Sequence, residues 1–196
     1  VLIGLPASLG IALLAGPMLS TVFEYGAFDR YGVQRASESL LAYSFGLVGF
    51  IAIKVLAPAY YSRQDTKTPV KIAAVAMVAN ILLNLALVGP LAHAGLALAT
   101  SLSAALNGGL LLWGLTRDGI YQPQPGWARF AAKVAVALAL MATFLTMFTA
   151  SQAAWSDWNA WDRAWRMVAL VTGGAAVYGV TLLSLGIRPR ALIRPL

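Results

Sequence analysis

Stretches of about twenty residues with almost no charge follow one another along this chain, separated by the short polar connections GAFDRYG, SRQDTKTP, GPLAHAG, RDGIYQPQPG and SQAAWSDWNAWDR. About 20 apolar residues in a helix cross the roughly 30 Å of a bilayer's hydrocarbon. Six segments meet that length: about 2–23, 39–61, 69–90, 92–116, 128–149 and 164–186. An unpaired backbone N–H or C=O is so costly in lipid that only helices and closed barrels cross it, and barrel strands run about ten residues with alternating polarity. That alternation is absent, so the sequence predicts an all-α polytopic membrane protein with six transmembrane helices.

Composition agrees. Hydrophobic residues make up 60% of the chain and charged residues 11%, with a mean hydropathy of +0.75, where soluble domains carry about a quarter charged residues. The net charge of +7 does not point to nucleic acid, because the basic residues lie between apolar runs rather than on one face of a soluble fold; their anionic partners are lipid headgroups. With no cysteine there is neither a disulfide framework nor thiolate chemistry. The chain opens on Val and enters an apolar run at once, so no cleavable leader is expected.

Basic residues set the expected orientation. With the first span running outward, the inside stretches hold Arg63, Lys67, Lys71, Arg117, Arg129, Lys133, Arg188, Arg190 and Arg194, against Arg30, Arg35, Arg163 and Arg166 outside, which places the C-terminus in the cytoplasm. Trp155, Trp158, Trp161 and Trp165 fall in the last outer connection and read as an interfacial aromatic belt. Pro6 and Gly16-Pro17 in the first span and Pro58 in the second permit bends. The small residues of the fourth span, Gly95 to Gly109, let neighbouring backbones approach closely, which predicts a central helix. In the SRQDTKTP loop, Asp65 and Thr68 can cap a helix with Pro69 at its first position.

Several stretches resemble, in order and spacing, the C-terminal part of the MurJ/MviN lipid II flippases: PMLSTVFEYGAFD, KVLAPAYYSRQDTKTPVKIA, NILLNL and GLALATSLSAALNGGLLL, covering about residues 17–112. The resemblance implies a fourteen-helix transporter of the multidrug, oligosaccharidyl-lipid and polysaccharide exporter superfamily, in the bacterial inner membrane. Residues 1–117 then correspond to the last four helices of its second six-helix lobe, and 118–196 to two extra C-terminal helices with a basic cytoplasmic tail. It implies lipid II as substrate, moved to the periplasmic leaflet for peptidoglycan synthesis without making or breaking a bond. The other implied partners are membrane lipids, the N-terminal lobe and the cell-wall synthesis machinery.

The same resemblance gives Lys54 a role. A cation inside a span costs roughly 2.5–3.5 kcal/mol on insertion scales, so it faces a bundle interior, a partner or water, or else snorkels to the interface. In the family a lysine at this place faces the central cavity, which makes Lys54 a candidate ligand for a pyrophosphate. Some members bind Na⁺ at positions matching Asn80, Asn84, the Leu96 carbonyl and Thr100; an acid stands in them where this chain has Asn84. Apart from the resemblance, Asn80 and Asn84 share a face of the third span, and Thr100, Ser103 and Asn107 a stripe of the fourth, as ordinary interhelical hydrogen bonding also requires. The family's arginine after the FE pair is Tyr25 here, and the lone histidine, His93, reads as solvated. No nucleophile constellation, metal cluster or phosphate-binding glycine loop is present, so no enzyme and no tightly held cofactor is expected. The alternatives are a drug or polysaccharide exporter of the same superfamily, of which an exporter of cationic drugs should carry intramembrane carboxylates that these runs lack, and a membrane scaffold, which has no need of Lys54.

Overall fold

A computed structural model describes residues 2–25, 30–122 and 126–187. The tail arginines Arg188, Arg190 and Arg194 lie outside the described residues. All regular structure there is helical: α1 (Gly4–Phe23), α2 (Arg30–Tyr61), α3 (Lys67–Arg117), α4 (Trp127–Phe148), α5 (Gln152–Asp157) and α6 (Ala160–Ser184). Five of these are long and apolar enough to cross a membrane, all but α5.

The 51 residues of α3 would span about 75 Å as a straight helix, more than twice the hydrocarbon thickness. It is not straight. Pro90 lacks the N–H of a helical hydrogen bond, and two residues later Ala92 leaves the helical region at φ 47°. Beyond this break the chain doubles back: a Cβ on Gly95 would collide with the Leu87 carbonyl oxygen, and the Asn80 amide donates to Ser103 Oγ at 3.2 Å, 23 residues on. The GPLAHAG connection is thus a bend between two membrane-length halves, and the five long helices supply six membrane-length segments.

The proline expectations are corrected in detail. Pro6 lies in the first turn of α1, where a missing N–H is harmless; Pro17 and Pro58 sit inside α1 and α2, which stay continuous. Pro69 is the third residue of α3 rather than the first, since helical geometry starts at Lys67. Asp65 does cap this end, its Oδ1 accepting the Thr68 N–H at 3.0 Å. Hydrogen bonds from Thr68 hold the Asp65 carboxyl below the usual carboxylate range. Gln64, at φ 60°, ends the preceding helix in the left-handed region.

The chain divides into two compact units. One comprises α2 and α3. Lipid tails are as apolar as leucine, so close backbone packing rather than water exclusion must hold such helices together. Gly46 and Gly49 provide it: an added Cβ would fall 2.7 Å from Ser101 Cα and 2.7 Å from the Ala104 carbonyl carbon, respectively. Ser101 Oγ donates to the Ala42 carbonyl at 2.7 Å, and Tyr60, nearly inaccessible, donates to the Leu111 carbonyl at 2.8 Å. Contacts rising together along both elements mean that α2 runs parallel to the second half of α3.

The other unit packs α1, α4, α5 and α6 around Leu14, Ala137, Leu145, Trp155 and Leu170. These units cut the chain differently from the 1–117 and 118–196 division, which concerns membership in the lobes of a larger transporter. At the unit's Trp-rich end, Asn159 caps α6 by accepting from the Asp162 N–H, and Ser151 caps α5. Trp155 is buried there and donates to Thr21 Oγ1 at 3.0 Å, so it packs inside the unit, whereas Trp161 is largely exposed.

Arg163, counted among the outside basic residues, is buried within its unit. It donates to the carbonyls of Ser20, Glu24, Ser156 and Trp158 and lies 3.6 Å from the Glu24 carboxylate, with the Tyr25 ring beneath its guanidinium. The Ser20 and Glu24 carbonyls lie at the C-terminal end of α1, so Arg163 serves as its cap.

Candidate functional site

The close approach of α2 to the second half of α3 leaves a groove of about 260 Å³ between these two and the first half of α3. Phe50 and Ile53 form one wall; Asn80, Thr100, Ser103 and Asn107 supply the polar lining. Helical spacing places Asn80 and Asn84 in register, and the Asn84 amide donates to Asn80 Oδ1 at 3.0 Å. Ser103 Oγ, which accepts from Asn80, donates to the Thr100 carbonyl at 2.9 Å, and Thr100 Oγ1 donates to the Leu96 carbonyl at 2.9 Å. The four residues expected at a cation site thus form two pairs joined through Ser103, a link the sequence stripe already contained.

As donors to a cation these groups are all neutral oxygens. Asn80 Oδ1 and the Leu96 carbonyl already accept hydrogen bonds, while Asn84 Oδ1 is buried without a partner. Among the described residues no three acidic or histidine side chains converge. An orphaned buried oxygen beside further amide and hydroxyl oxygens fits a hard monovalent cation of low affinity, for which the missing carboxylate matters most.

Lys54 follows Ile53 on α2 and one turn separates it from Phe50. Its position is about 140° around the helix from Gly49, away from the face packed on α3. It is exposed, and among the described residues it has no hydrogen bond or ion pair. His93, expected to be solvated, is partly exposed at the bend of α3, where its Nε2 also lies 2.9 Å from the Arg35 carbonyl oxygen, tying the bend to α2. Sequence reasoning also missed Arg163 and Arg166; nothing local to a Trp-rich connection separates a buried arginine from an interfacial one.

Membrane-length helices packed through glycine, with an amide- and hydroxyl-lined groove among them, define a polytopic α-helical membrane protein. The sequence profile of the family described as lipid II flippase MurJ matches residues 1–160. The chain belongs to this family. It is 46% identical over 190 residues to a protein of Vibrio cholerae named probable lipid II flippase MurJ, covering 97% of this chain and 36% of that protein. A protein of Haemophilus influenzae with the same name is 42% identical over 192 residues, covering 98% of this chain and 38% of that protein. The chain therefore spans well under half the length of these curated relatives. A solved structure described as lipid II flippase MurJ, inward closed conformation, superposes with a TM-score of 0.75 at 23% identity over 98% of this chain and 37% of that one, which supports the fold.

Proposed function

We propose that this chain acts as the C-terminal part of a lipid II flippase, moving the undecaprenyl-pyrophosphate-linked peptidoglycan precursor from the cytoplasmic to the periplasmic leaflet of the inner membrane. Family membership over residues 1–160 is the observation that carries the reading. The barrier to such transport is desolvation of a sugar, peptide and pyrophosphate headgroup in hydrocarbon, and a polar cationic cavity opening alternately to each side removes it without covalent chemistry. Residues 1–117 contribute the last four helices of a second lobe and 118–196 the extra pair, working with an N-terminal lobe and alongside the cell-wall synthesis machinery. Lys54 meets the pyrophosphate: its lack of a hydrogen-bond or ion-pair partner among the described residues supports a ligand brought from outside them. The test grafts this chain in place of the matching part of the Vibrio cholerae relative and asks for rescue of a flippase-depleted strain. The graft rescues and its Lys54→Ala variant, at normal membrane levels, does not; rescue by the alanine variant would leave snorkelling as the account of Lys54.

Sodium binding at Asn80, Asn84, Leu96 and Thr100 is a second proposal, favoured by the orphaned Asn84 oxygen. A carboxylate strengthens an oxygen site for a hard cation, so Asn84→Asp should melt at a higher temperature in sodium chloride than in choline chloride, by a margin above that of the unaltered chain. If the oxygen serves packing alone, the buried acid lowers the melting temperature equally in both salts.

A further inference from the structure

At the Trp-rich end of α4 and α6 lies a pocket of about 280 Å³ lined by Phe144, Phe148, Trp155, Trp158, Trp165 and Arg166, with Ala169 and Leu170 at its base. Its walls are aromatic except for one cation. The Arg166 guanidinium lies 3.9 Å from the Trp158 ring centroid and 5.0 Å from that of Trp165, so it is held between two indoles. Its Nε is buried and has no acceptor. The nearest acid along the helix, Asp162, is one turn away but is taken by the Asn159 amide and by Trp165 Nε1, and forms no ion pair with Arg166. Arginine is the most heavily hydrogen-bonding side chain, and a buried N–H without an acceptor costs free energy comparable to a lost hydrogen bond.

We infer that this pocket binds the phosphodiester of a membrane phospholipid, with Arg166 as its anion ligand and Phe144 and Phe148 flanking the start of the acyl chains. Three observations favour this occupant over a soluble one. The cation is planar and matches a phosphate's paired oxygens. The tryptophans are of the type that sits at headgroup level. The pocket opens at an apolar side chain, Phe148 being 66% exposed. The site stands apart from the translocation reading and does not depend on it.

The test titrates the full 196-residue chain in detergent micelles with dioleoylphosphatidylglycerol, following intrinsic tryptophan fluorescence. Dioleoylglycerol, which has the same chains without the phosphate, and inorganic phosphate are titrated in parallel. The lipid is expected to saturate, and loss of the charge-assisted bond in Arg166→Ala or Arg166→Gln to weaken it about tenfold or more. The glutamine variant keeps the side chain's bulk, so it gives the answer if the alanine variant fails to fold. Binding unchanged in either folded variant overturns the assignment. So does dioleoylglycerol binding as well as the phospholipid, which makes the pocket a purely apolar groove, or inorganic phosphate binding as well, which makes it a site for free anions.

Discussion

Arg163 and Glu24 are 7% and 9% exposed at the side chain, in a part of the molecule where each has further partners: Ser156 Oγ donates to Glu24 at 3.0 Å, and Arg30 approaches the same carboxylate at 3.8 Å. Breaking a buried pair by removing one partner strands the other charge and typically costs 3–5 kcal/mol. Arg163→Ala should therefore lower the stability of the purified chain by about 3 kcal/mol, visible as a clear drop in its thermal midpoint in detergent. Glu24→Gln, which keeps an acceptor for Ser156, should lose less; an alanine variant melting like the parent would show the knot to be incidental. This knot was not legible in the sequence, because Arg163 has the same neighbours in the chain as any interfacial arginine and its partners on α1, Ser20 and Glu24, lie 143 and 139 residues away. Lys54 was legible for the opposite reason: a lone charge in an apolar run is costly wherever it lies, so its position alone demands an explanation.

Small residues at one face are what let α2 and α3 pack in a solvent that gives no hydrophobic reward for association. Gly49 and Gly109 make a controlled comparison. A Cβ at Gly49 meets Ala104 and Ala105 backbone at 2.7 Å, while a Cβ at Gly109 meets nothing within 4 Å. Gly49→Ala should destabilise by about 1–3 kcal/mol through overpacking, and Gly109→Ala should be neutral or slightly stabilising, since alanine is the better helix former. Equal melting shifts in the two variants would mean that the glycines serve flexibility rather than contact. The close backbone packing of the fourth span was readable from its run of Gly, Ala and Ser, and the bend at Ala92 from Gly89-Pro90. The continuity of α1 and α2 through Pro17 and Pro58 was not, because whether a proline breaks a helix depends on neighbours that re-satisfy the freed carbonyl. At Pro17 the next turn is reinforced by Thr21 Oγ1, which donates to the Pro17 carbonyl at 2.7 Å.

For the whole molecule, the number of crossings and the family were readable because both rest on long signals, apolar length in the first case and an ordered set of motifs in the second. Orientation rests on nine basic residues against four. It predicts that, in the grafted full-length protein, alkaline phosphatase fused after Gly32 or Trp158 is active and after Thr66 or Gln122 inactive; the reverse pattern would invert the topology. The proposed translocation is tested most directly by reconstituting the graft into liposomes carrying fluorescent lipid II in both leaflets and adding a membrane-impermeant quencher. With the intact graft, fluorescence should fall beyond the fraction exposed at the start, as lipid from the inner leaflet reaches the quencher; the Lys54→Ala graft should stop at that fraction. Translocation by both proteins at the same rate would remove Lys54 from the mechanism, and translocation by neither, with both correctly inserted, would contradict the flippase reading itself.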